Sequence, residues 1–215
     1  MSKSTGLRVI AIENGQFAEN CYLLAEPGSS EAVIIDPGEE TDLFLARAAH
    51  EGLAIREIWL THGHIDHVAG VADIKQATGA PISLHPDDLP LYQNLPNQAA
   101  MFGMRCGAPP PVDHSWVHGG TAHLGKTAFA VRHTPGHSPG SVCFVMPGVV
   151  IGGDVLFQGS IGRSDLPGGS HPRLIQSIRE ELLVLSDDTV VYPGHGPPTT
   201  IGVERRTNPF LIGVG

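Results

Sequence analysis

Apolar and polar residues alternate from Leu7 to Ile12, the period of a strand with one buried face. Asn20 to Ala25 predicts a second strand, followed by the turn Pro27-Gly28-Ser29-Ser30, and Val33-Ile34-Ile35 a short buried one that ends in Asp36-Pro37-Gly38. From Thr41 to Glu51 the pattern turns helical: Leu43, Leu45, Ala46 and Ala49 share a face, Thr41 is placed as the N-cap and Gly52 as the stop. Ile55 to Leu60 reads as a strand, Val68 to Thr78 as a helix closed by Gly79, Pro81 to Leu84 as a strand, and Asp87 to Asn94 as a short helix. Leu95 to Val112 breaks the rhythm with Pro96, Pro109, Pro110 and Pro111 among Met101, Phe102 and Met104; it is expected to be a long loop serving as a lid. The pattern resumes with a strand over Thr127–Thr134 and a hairpin of Ser141–Met146 and Val149–Ile151 across Pro147-Gly148. A helix over Pro172–Leu185 and a last strand over Thr189–Tyr192 complete it. Strands alternating with helices predict an α/β fold, taken as one domain over residues 1–215.

Four of these strands end alike: an apolar run stops, glycine follows, and a metal-ligand side chain appears. The first stop is the densest, since Thr61-His62-Gly63-His64-Ile65-Asp66-His67 sets three histidines and an aspartate within six positions. His137 follows in Thr134-Pro135-Gly136-His137, Asp154 in Gly152-Gly153-Asp154, and His195 in Pro193-Gly194-His195. Imidazole and carboxylate are the donors that zinc, iron and manganese take in hydrolytic sites, and strand ends on one sheet edge converge in α/β folds. His62 and His64, two apart, point one way in an extended segment, whereas Asp66 and His67 diverge as the chain turns. Seven donors suffice for two cations. The expected division is His62, His64 and His137 on the first and Asp66, His67 and His195 on the second, with Asp154 bridging. Two divalent ions, zinc foremost and iron or manganese as alternatives, would acidify a shared water. Asp66 and Asp154 are the carboxylates expected to take part most directly in catalysis.

Composition narrows the partners. The chain has 22 acidic and 13 basic residues, a formal charge of −9, which does not invite a polyanion; nucleic-acid and membrane-surface roles are set aside. No 18-residue apolar run exists, and Met1 to Gly6 lacks a signal-peptide core, so a cytoplasmic protein is expected, as a monomer or small homo-oligomer. Cys21, Cys106 and Cys143 are scattered and odd in number, neither a disulfide framework nor a zinc knuckle.

His-x-His-x-Asp-His, Thr-Pro-Gly-His, Gly-Asp and Pro-Gly-His, in this order, resemble the motifs of the metallo-β-lactamase superfamily. With Gly162-Arg163, the chain is similar to the short bacterial-type glyoxalase II (hydroxyacylglutathione hydrolase) proteins within it. The resemblance implies an αββα sandwich, two mixed β-sheets between helix layers, and cleavage of a glutathione thioester, S-D-lactoylglutathione to D-lactate and glutathione. It departs from longer members in having about twenty residues after His195, where those carry a glutathione-gripping helical segment. The alternative it implies is a mononuclear iron persulfide dioxygenase using His62, His137 and Asp154. Two residues carry two readings each. Arg163 either clamps a substrate carboxylate or braces its loop through Asp165; Asp36 either props the site from behind or merely makes a turn. His85, also at a strand end, has no accompanying motif and is expected to be structural.

Overall fold

The computed structural model describes residues 6–212; the stretch Met1–Thr5, most of the segment read above for a signal peptide, lies outside them. In chain order the strands are β1 (Arg8–Asn14), β2 (Glu19–Ala25), β3 (Glu31–Ile35), β4 (Ala54–Trp59), β5 (Ile82–Leu84), β6 (His114–Ser115), β7 (Thr121–Leu124), β8 (Thr127–His133), β9 (Val142–Met146), β10 (Val149–Gly153), β11 (Leu156–Phe157), β12 (Ser160–Ile161), β13 (Val190–Pro193) and β14 (Thr199–Thr200). One mixed sheet runs β1-β2-β3-β4-β5-β6 and a second runs β14-β13-β10-β9-β8-β7, with β11-β12 a small hairpin apart. The helices are α1 (Thr41–His50), α2 (Ile65–Val68), α3 (Val71–Thr78), α4 (Leu89–Gln93), α5 (Leu95–Met101), α6 (His171–Ser177) and α7 (Ile201–Thr207).

The period-2 pattern sorts side chains into layers. In β2 all seven residues are buried, because both sheet faces are covered. Cys21, Leu23 and Ala25 pack with Phe44 and Ile74 of α1 and α3, while Tyr22 and Leu24 face the second sheet. Between the sheets Trp59 is fully buried, its ring 5.1 Å from Phe144, 5.7 Å from Phe129 and 5.8 Å from Trp116. Cys143, Val145 and Val150 point the other way onto Leu174, Ile178, Leu182 and Ile201. Helix, sheet, sheet, helix is the αββα sandwich expected from the resemblance. No helix among the described residues is long and apolar enough to cross a membrane.

Several local expectations change. The helix placed from Val68 is two: α2 already contains Asp66 and His67, and α3 starts beyond Gly70. Glycine stands at the break because the chain packs closely there: a Cβ at Gly70 would strike the Gly38 carbonyl and Thr41 Oγ1 (2.7 Å). Thr41 lies inside α1 without capping it. The helix placed over Pro172–Leu185 is α6 followed by a wider π turn over Ile178–Leu182. Leu95–Val112 is not wholly a loop: its first part is α5. Within α5 Gln98 donates to the Gly63 and Leu91 carbonyls (3.0 and 2.8 Å) and accepts from Ile65 N–H (3.1 Å). Those bonds fasten the segment to the His62–His67 loop as a wall. The strands β7 and β14 and helix α7 were not foreseen.

Candidate metal centre

The stations meet because their strands run the same way. β3, β4 and β5 are mutually parallel, as are β10 and β13, and β8 reaches the same edge through the antiparallel β9. The two sheets are joined at that rim by Val142 N–H donating to Thr61 O (2.9 Å) and Asn20 N–H donating to Gly194 O (2.7 Å).

All seven predicted donors converge there. His137 Nε2 lies 3.2 Å from His62 Nε2 and 2.8 Å from His64 Nδ1. His195 Nε2 is 3.2 Å, and His67 Nε2 3.7 Å, from Asp66 Oδ2. Asp154 faces both groups, its Oδ2 3.6 Å from His137 Nε2 and 3.5 Å from His195 Nε2, its Oδ1 3.3 Å from His67 Nε2. That last pair is misaligned for hydrogen bonding, and both atoms are buried with no other partner.

The rings are held from behind. His137 Nδ1 sits 2.7 Å from the Arg163 carbonyl and His195 Nδ1 3.1 Å from that of Phe17. His67 Nδ1 is 3.0 Å from Asp36 Oδ2. His62 Nδ1 is 3.0 Å from Thr61 Oγ1, whose own proton goes to Asp36 Oδ2 at 2.6 Å. In a neutral ring each acceptor fixes the proton on the far nitrogen, so that the inner nitrogen is the one that offers a lone pair. A neutral imidazole has one N–H, so the inward nitrogens of His62 and His137, whose protons lie on the outer side, cannot satisfy one another. Converging lone pairs and orphaned buried atoms fit divalent cations with nitrogen and oxygen ligands.

Electrostatics separates the two groups. Burial drives His62 down, and drives His64 down to about 3 with help from His137. Burial also opposes charge on His67 and His195, but the carboxylates outweigh it. Asp154 and Asp66 raise His67 and hold His195 up at about 10. Burial favours neutral Asp154 in turn, and is overcome chiefly by His67 and His195, which hold its carboxyl well below the usual range.

The remaining predictions fall unevenly. Asp36, 2 % exposed, also accepts from Thr61 N–H at 2.7 Å, the propping position rather than a bare turn. Arg163 lines the cleft, but its guanidinium already grips Asp165 through two bonds of 2.9 Å. Its carbonyl, which no sequence pattern marks, is the atom behind His137. His85 stays outside the centre, stacked on His133 at 4.0 Å. Sequence reasoning missed Asp88, Gln98 and Phe17. Asp88 stands beyond a prolyl turn after β5, not directly at a strand end as Asp36 and Asp154 do, so no spacing in the sequence marks it.

Over the centre lies a cleft of about 460 Å³, with Phe17, Met101, Phe102, Phe157 and Leu166 along its walls. Phe17 and Phe102 meet edge to face, centroids 5.0 Å apart.

Residues 14–195 match the metallo-β-lactamase superfamily. The hydroxyacylglutathione hydrolase GloC of Haemophilus influenzae is 41 % identical over 204 residues, covering 91 % of this chain and 93 % of that one. Among solved structures, TTHA1623 in a di-iron-bound form superposes with a TM-score of 0.87 at 44 % identity, over 94 % of this chain and all of that one. The B3 metallo-β-lactamase BLEG-1 gives 0.90 at 38 %, over 96 % and 100 %. With the sandwich, the converging rim and these matches in agreement, the chain belongs to the metallo-β-lactamase superfamily, a family of metal-dependent hydrolases.

Proposed function

We propose that this protein is a binuclear metal-dependent thioester hydrolase of glyoxalase II type, one domain spanning the chain, cleaving S-D-lactoylglutathione to D-lactate and glutathione. The observation that carries the reading is the pair of ligand trios with Asp154 between them. His62, His64 and His137 would hold one cation, Asp66, His67 and His195 the other, and Asp154 both; zinc suits this set, and the di-iron relative makes iron the first alternative. Bound there, such ions supply Lewis acidity, which acidifies water and polarises a carbonyl.

The chain's own residues do the rest. Asp36, Thr61 and the Phe17 and Arg163 carbonyls aim the inner nitrogens of His67, His62, His195 and His137 and hold the proton of each neutral ring on the outer one. Asp66 and Asp154 supply negative charge that offsets the cations. The apolar walls at Phe17 and Phe102 receive the uncharged part of the substrate and exclude water from it. The leaving thiolate, with a pKa near ~8.5, departs without a strong acid, so the ligands need not double as one. Arg205 and Arg206 are turned onto Asp187, so the thiol portion is held by the cleft and not by this C-terminal pair.

A single iron on His62, His137 and Asp154, the dioxygenase alternative, would leave the second trio without a task. Metal analysis of purified protein beside steady-state hydrolysis of S-D-lactoylglutathione tests the reading. Two metals per chain and turnover are expected. No hydrolysis of any glutathione thioester by metal-replete protein rejects it, and one iron with oxygen uptake on glutathione persulfide replaces it.

A further inference from the structure

Beyond β5 the chain turns through Pro86–Asp88, and Asp88 is completely buried. Its Oδ2 accepts from Gly63 N–H at 2.9 Å and from the Ser138 hydroxyl at 2.7 Å, while Oδ1 accepts from Gly140 N–H at 2.6 Å. Gly63 lies between His62 and His64, and Ser138 follows His137. One carboxylate therefore ties the loop of the first sheet that carries two rings to the loop of the second sheet that carries the third.

The close approach is built into the sequence. A Cβ at Gly140 would stand 2.6 Å from Asp88 N, and one at Gly63 3.1 Å from the Asp88 carbonyl oxygen. Among the described residues no lysine or arginine lies within ion-pair distance of Asp88. Burying a carboxylate without a cation is costly, and burial pushes the Asp88 carboxyl up against the pull of its three donors and of His137. If the loops needed only a mechanical tie, a neutral acceptor would serve at lower cost. What a carboxylate adds is negative charge behind a trio of uncharged imidazoles, on the side away from Asp154 and Asp66.

We propose that Asp88 is a positioning residue for the first cation, holding His62, His64 and His137 in register across the two sheets and supplying charge behind them. The inference rests on the metal-centre reading above but not on any substrate. Its consequence is selective: losing Asp88 weakens the first cation position and spares the second, whose ligands are fastened by Asp36 and Phe17.

Cobalt(II) titration of the metal-free full chain, followed by visible absorption and calorimetry, tests this. The wild type, Asp88→Asn and Ser138→Ala would be compared, each also in a His195→Ala background that isolates the first position. Asp88→Asn keeps the shape, removes the charge and sets an N–H₂ against a donor. Its affinity at the first position should fall about 10–100-fold, with the second position changed less than about threefold. Ser138→Ala, which removes one donor and keeps the charge, should show a smaller loss at the same position, and it decides the matter if Asp88→Asn does not fold. Wild-type cobalt affinity at the first position in both variants, or equal loss at both positions, overturns the proposal. A wild type that binds no cobalt overturns the metal centre and this inference together.

Discussion

Asp36→Asn asks whether a prop can switch a ligand off. Asp36 has φ 50°, the left-handed region that asparagine tolerates as well as aspartate, so the change adds no backbone strain. Its Oδ1 accepts from Thr61 N–H at 2.7 Å, and asparagine can keep that bond. Oδ2 serves both the Thr61 hydroxyl, at 2.6 Å, and His67 Nδ1, at 3.0 Å. An amide N–H₂ in its place can donate but not accept. Thr61 can adapt by rotating its hydroxyl. His67 can adapt only by moving its proton to Nε2, the atom that faces Asp154 Oδ1 at 3.3 Å. A protonated Nε2 holds no metal.

The magnitudes follow from that geometry. Losing one buried charge-assisted bond costs about 1.5–3 kcal/mol, which for a domain of this size lowers the melting temperature of the metal-free protein by about 3–12 °C. The second cation should bind about 10–100-fold more weakly. The first should change little, because His62 is reached only through Thr61. Calorimetric metal titration gives the two affinities, and nitrogen-15 NMR of the imidazoles gives the His67 tautomer. If the variant loads its second cation as tightly as the wild type, or if His67 keeps its proton on Nδ1, the reasoning fails.

Three further outcomes are expected. His67 is raised and His195 held near 10 in the metal-free cluster, so filling the second position must displace protons. Its affinity should rise about tenfold per pH unit for each proton lost, up to about pH 10, and fall as pH drops; calorimetry in two buffers of different ionisation enthalpy counts the protons. Gly194→Ala would drive a Cβ into Asp154 Oδ1 and to 2.7 Å from His67 Cε1, so kcat/KM should fall by about 10²-fold or more while near-ultraviolet circular dichroism still reports a packed core. Arg163→Ala should leave metal content unchanged, because the carbonyl behind His137 survives, and should raise KM by less than about threefold, since the lost contact is an exposed ion pair; a tenfold rise in KM at constant kcat would restore the carboxylate-clamp role.

Among the strands that deliver ligands, β10 is buried throughout and is legible as an apolar run ended by glycine, whereas β4, β8 and β13 are legible from alternating buried and more exposed positions before one. The longest apolar runs, in β2 and β3, arise because Leu23 and Leu24, or Ile34 and Ile35, divide between two cores. The small strands β6, β7 and β14 carry no such run: β7 alternates exposed and buried over four residues, and β14 is two residues held by pairing with β13. The Leu95–Val112 segment misled for a different reason. Proline at Pro96 suggested a broken chain, but it occupies the first turn of α5, where a missing N–H costs nothing.

At the metal centre the division follows the chemistry. Ligands must be imidazole or carboxylate, so clusters of them stand out against the rest of the sequence. Whatever holds a ring from behind need only accept a hydrogen bond, and at His137 and His195 that acceptor is a backbone carbonyl, available at every residue. Side-chain props are scarcely more visible. Asp36 could be suspected because its strand leads to the rim, whereas Asp88 follows three short residues of β5 and a prolyl turn. Yet each occupies the same kind of place, buried beyond the end of a parallel strand of the first sheet. The ligand pattern is written in residue type. The pattern that keeps those ligands deprotonated is written in strand direction, and becomes legible only once β3, β4 and β5 are known to lie side by side.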